Sequence, residues 1–72
     1  MMTLDDKIHH ANEIANAIQR RENMYSISLK EGNGLINYDI ELPTPQVAGT
    51  MTQQRTYATG KAMEIIEQIT RS

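Results

Sequence analysis

The chain has no cysteine, no phenylalanine and no tryptophan, and only two prolines and four glycines among its 72 residues. The lack of cysteine excludes disulfides, thiolate metal sites and cysteine nucleophiles. Two histidines alone cannot build a structural zinc site. The lack of large aromatics thins the core, because such side chains bury the most area each, about 150–250 Å². Three tyrosines, nine isoleucines, four leucines, one valine and five methionines remain to fill it. Single cores in chains below about 70–80 residues rarely supply more than about 3–5 kcal/mol without a staple. Oligomerisation is the staple that this composition permits.

Charge of one sign is also scarce. Seven basic residues face nine acidic ones, for a net charge of −2 and a pI near 5.5. A nucleic-acid binder carries a basic patch or stripe, so nucleic acid is not an expected partner. No apolar run approaches the length of a membrane span, about 18 residues or more. The opening Met1-Met2-Thr3-Leu4-Asp5-Asp6 lacks the basic and apolar regions of a signal peptide. Cytoplasmic residence is therefore expected.

What is present reads as one domain. Leu4, Ile8, Ala11, Ala15 and Ile18 follow steps of four and three, with Ile14 widening the face, so a helix is predicted over about 4–22. Thr3 is placed to cap it, with Asp5 and Asp6 in the first turn. Lys7, Asn12, Asn16 and Gln19 form the opposite, wet face, with Arg20 and Arg21 in the last turn and Asn23 as the stop. The small residues Ala11 and Ala15 at the stripe's centre allow a close approach, read here as tight packing on the sheet.

Tyr25, Ile27 and Leu29, then Ile36, Tyr38, Ile40 and Leu42, alternate with polar residues, which predicts a β-hairpin over about 24–42. With Asn33-Gly34 as a type I′ turn, Leu29 faces Tyr38, Ile27 faces Ile40, and Lys30 lies diagonal to Asp39. A slip of two residues keeps the same faces. Neither strand contains proline, so an edge-to-edge dimer with a four-stranded sheet is open to it.

Pro43 ends the second strand, and Ala48, Met51, Arg55, Ala58, Ala62, Ile65 and Ile69 carry a second helical stripe, widened by Met63 and Ile66. Two starts are open. Thr44 can cap a helix that begins at Pro45, or a loop can run to about 50 with the helix starting near Thr50 or Thr52. The longer version, about 39 Å, would overhang strands of about 27 Å and rest on a second copy. Gly49 and Gly60 each weaken this helix by about 1 kcal/mol relative to alanine. The fold class is thus α+β, in the order α-β-β-α, with two helices on one face of an antiparallel hairpin.

No catalytic constellation is present. Gly32-Asn33-Gly34 belongs to a turn and precedes a strand, not the helix a phosphate loop requires. His9 and His10 are adjacent and point about 100° apart on a helix, so they cannot grip one ion together. His9 can reach Glu13 and Asp6 can reach His10, at four-residue spacing. Asp39 and Glu41 share a strand face, where carboxylates ordinarily serve solubility.

The run from Gln53 to Lys61 is dense in hydrogen-bonding groups. Arg55 falls on the apolar stripe and needs a partner there. Gln54, Arg55, Tyr57 and Lys61 are the candidate binding residues, since arginine and tyrosine are enriched at interaction hot spots. The thin core, the open hairpin edges and the polar run on the second helix point to a non-enzymatic, homo-oligomeric protein-interaction module, an accessory or inhibitor that occupies a surface of another macromolecule. The alternative is an oligomer that binds a small phosphorylated ligand or nucleotide between subunits. No cofactor and no metal are implied.

Overall fold

The computed structural model describes residues 3–45 and 48–71. Its elements run α1 (Leu4–Gln19), β1 (Met24–Glu31), β2 (Gly34–Glu41) and α2 (Met51–Thr70), so the order is α-β-β-α. The fold is a small α+β one, with an antiparallel two-stranded hairpin and two helices. No helix among the described residues is long and apolar enough to cross a membrane.

Both helices start on a reciprocal cap. The Asp6 amide donates to Thr3 Oγ1 at 3.1 Å, and the Thr3 amide to Asp6 Oδ2 at 3.4 Å. In α2 the Gln53 amide donates to Thr50 Oγ1 at 3.1 Å, and the Thr50 amide to Gln53 Oε1 at 2.8 Å. The later start of α2 is therefore the one adopted, and Thr44-Pro45 lies outside the helix. Thr50 wins because Gln53 answers it, and because Gly49 takes a φ of +102° that side-chain-bearing residues avoid. Gln46 and Val47, inside the longer version of this helix, lie outside the described residues.

Helix α1 ends at Gln19, about three residues before the expected stop. The Glu22 amide donates to Ala17 O at 3.1 Å and the Arg21 amide to Ile18 O at 3.0 Å. These two bonds form a Schellman closure, which needs a left-handed residue at the position of Arg21. Arg21 supplies it at φ 62°, a conformation that favours glycine. Arg20 and Arg21 consequently lie past the last turn, where Arg20 Nε pairs with Glu22 Oε2 at 2.6 Å.

The hairpin takes the register two residues away from the first expectation. Leu29 faces Ile36, Ile27 faces Tyr38, and Tyr25 faces Ile40. The turn is Gly32-Asn33, with φ +59° at Gly32 and no positive φ at Asn33. Positive φ at the first central residue alone is the type II′ pattern, which places glycine there. The shift removes the expected Lys30–Asp39 pairing: Lys30 faces Leu35, and Asp39 Oδ1 accepts from Ser26 Oγ at 2.9 Å.

The core is aliphatic and small. Its buried members are Ala11, Ile14, Ala15, Ala17, Ile18, Ile27, Ala58, Ala62 and Ile66, five of the nine being alanine. Ala11 and Ala15 join Ala58 and Ala62 in one cluster, so the small stripe serves helix–helix packing rather than the sheet alone. Short side chains on both helices let their backbones approach within 8 Å. Tyr25, Leu29, Tyr38, Ile40, Leu42, Ile65 and Ile69 pack around this cluster, partly buried.

Several expected core positions are uncovered. Leu4 is 72% exposed and Ile8 is exposed as well, so the α1 stripe continues past the cover that α2 and the hairpin provide. Met51 and Met63 on α2 and Ile36 of the hairpin stand exposed too, as do Met24 and Leu35, which belong to no expected apolar face.

Gly60 does not break α2, and a Cβ built on it meets nothing within 4 Å. Gly60→Ala should therefore raise stability by about 1 kcal/mol through helix propensity alone. In a domain of this size that is about 4–8 °C in melting temperature, read by calorimetry.

Candidate interaction surface

The four residues singled out on α2 are held in different ways. Arg55 is half-buried, and its Nη1 donates to both Asn16 Oδ1 and Gln19 Oε1, each at 2.7 Å. The charge on the apolar stripe thus finds its partner in α1, and the three side chains tie the start of α2 to the end of α1. Asn16 and Gln19, expected on a wet face, are half-buried for that reason. Tyr57 donates its hydroxyl proton to Thr44 O at 3.1 Å and so pins the segment leading into α2. Gln54 Nε2 donates to Gly49 O at 3.3 Å.

Lys61 does share a face with Tyr57. Its Nζ lies 5.8 Å from the ring centroid, within cation–π range, and 3.7 Å from Glu64 Oε2. Tyr57 and Gln54 line a shallow cleft of about 40 Å³ with Ile18, Gln19, Arg21, Pro45 and Ala58. Arg55 and Lys61 are not among its lining residues. Ligand pockets for drug-sized molecules run to about 300–1,000 Å³. Within one chain the four residues brace α2 and do not converge on a ligand-sized cavity.

The histidines do not form the expected helical pairs. His10 Nδ1 shares a hydrogen bond of 3.4 Å with the Tyr25 hydroxyl, and its ring lies edge-on to that of His9, with centroids 5.3 Å apart. Burial, and then the carboxylate of Glu13, hold the Tyr25 phenol above its ordinary value of 10. The neutral phenol is thus favoured by the fold. That contribution to stability is complete below the ordinary tyrosine value and is lost as pH rises through the raised one. Alkaline titration followed by tyrosinate absorbance should show one tyrosine ionising above the free amino acid, and Tyr25→Phe should remove that step.

The hairpin's outer face carries a polar ladder that the first register did not bring out. Ser28 Oγ donates to Asn37 Oδ1, and Ser26 Oγ to Asp39 Oδ1. The serines alternating along β1 were the available signal, but only the true register sets them opposite Asn37 and Asp39. Asp39 is therefore engaged across the strands, on an exposed surface. Among the described residues no group of three acidic or histidine side chains could hold a metal ion. No protein-family model, no curated protein and no solved structure matches the chain.

Proposed function

We propose that the protein is a non-enzymatic, homo-oligomeric interaction module of the cytoplasm, an accessory or inhibitor that occupies a surface of another macromolecule. One observation carries this reading. Among the described residues seven large apolar side chains stand exposed, while four isoleucines are the buried large ones. Tyr25, Leu29, Tyr38, Ile40, Leu42, Ile65 and Ile69 are only half-buried against the core, so apolar surface is left to cover. Scattered exposed residues are ordinary, but here Leu4 and Ile8 lie one turn apart on the same helix face, and Ile36 stands exposed on the apolar face of the hairpin. Self-association covers part of that surface, and the polar outer face of the hairpin remains for a different macromolecule.

Association of folded chains stabilises them by mass action. The melting temperature should accordingly climb as protein concentration is raised from micromolar to millimolar. A melting temperature that does not move over that range contradicts the reading.

A further inference from the structure

We infer that the outer edge of β2 is the self-association site, and that its occupant is β2 of a second copy, antiparallel and centred on Tyr38. This rests on the homo-oligomeric reading above and specifies it. The hydrogen bond from the Leu42 amide to Asn23 O, 2.9 Å, extends the ladder by one narrow pair. Narrow and wide pairs alternate in antiparallel sheets. The backbone groups of Leu35, Asn37, Asp39 and Glu41 therefore point away from β1, along an edge that no other described strand covers.

Two observations select this edge over that of β1, and a third shows that it suits a second copy of itself. First, the inward side of β1 is already closed, with Ile27 only 3% exposed, whereas on β2 Ile36 is 42% exposed. Second, α1 brings its Cα atoms within 8 Å of β1, and neither helix comes that close to β2. The helical layer thus sits nearer β1 than β2. Third, the edge is complementary to itself. A two-fold axis at Tyr38 pairs Leu35 with Glu41 and Asn37 with Asp39 of the other copy, using every outward residue of the strand. About eight backbone hydrogen bonds result, two per narrow pair.

The same register sets each Asn37 opposite an Asp39, and Ile36 opposite Ile40 on the inner face. Asn37 Oδ1 already accepts from Ser28 and Asp39 Oδ1 from Ser26. The Asn37 amide N–H₂ is left to donate to the second carboxylate oxygen of Asp39 across the interface. No acid directly faces an acid. A β1-to-β2 contact, by contrast, is heterologous and closes only where its rotation completes a ring.

Proline distinguishes the edges. At Asn37 the missing N–H costs the hairpin no ladder bond but removes two from the dimer, one per copy. Sedimentation equilibrium of Asn37→Pro should give monomer, with Ser28→Pro, the matching change on the β1 edge, still dimeric. Circular dichroism reports whether each variant remains folded. As a second arm, Tyr38→Cys places two thiols across a wide pair, Cα atoms about 4.5 Å apart, within disulfide reach. It should cross-link fully on mild oxidation, while Ile40→Cys, facing Ile36, should not. A dimer that survives Asn37→Pro and fails to cross-link through Tyr38→Cys overturns the β2 edge and leaves oligomerisation standing. A wild-type monomer at all concentrations overturns both.

Discussion

Ile66→Ala should cost about 2–5 kcal/mol, the usual toll for truncating a fully buried isoleucine. Ile66 has no exposure and packs in one cluster with Ile14, Ile18 and Ile27. Its fully buried companions on α2 are Ala58 and Ala62, whose single methyl groups cannot reach in to fill the space. The cavity therefore stays open, and the cost falls toward the upper half of the range. Set against a total of about 3–5 kcal/mol for a core of this size, the change should leave much of an isolated chain unfolded. Urea titration reads it as a large fall in midpoint with the slope unchanged. Ile66→Val should cost only about 0.5–1.5 kcal/mol. A midpoint within experimental scatter of the wild type for Ile66→Ala would mean that the core lies elsewhere.

Arg55→Met should cost about 1–2 kcal/mol, less than two buried charged bonds, because the site is half open to water. The methionine keeps the packing of the stem and deletes the two 2.7 Å bonds to Asn16 and Gln19. Both acceptors are neutral, so the loss should barely depend on salt, unlike that of an exposed ion pair such as Lys61–Glu64. A double-mutant cycle with Asn16→Ala isolates the contact, and a coupling of about 0.5–1.5 kcal/mol is expected for partners this close. Zero coupling would return Arg55 to the role of a side chain kept for an outside ligand.

Element types and order were legible because periodicity is written locally. The 3.6-residue stripe of α1 and the alternation in the hairpin each survive without tertiary help. Boundaries depended on closures between specific atoms. Thr50 and Thr44 look alike as caps, and Gln53, three residues after Thr50, together with Gly49 just before it, separates them. The early end of α1 was hidden because its left-handed position falls on Arg21 rather than glycine. Register was hidden for a different reason. Gly32-Asn33-Gly34 contains both a glycine-first and a glycine-second turn, and each choice keeps the same apolar face.

The candidate site was legible only as chemistry. The run from Gln53 to Lys61 does hold the polar groups it promised, and Tyr57 and Lys61 do share a face. That Arg55 would be answered by Asn16 and Gln19, some 36–39 positions earlier, is a fact of helix pairing. The extent of the stripes misled in the same way. Leu4 and Ile8 keep the period of a buried face and lie beyond what the other described elements cover.

Self-association is the central claim, and sedimentation equilibrium of the unmodified chain over a thousandfold range of concentration tests it most directly. The account predicts a mass that rises from one 8.2 kDa chain toward twice that value or above. A constant 8.2 kDa at every concentration would contradict it.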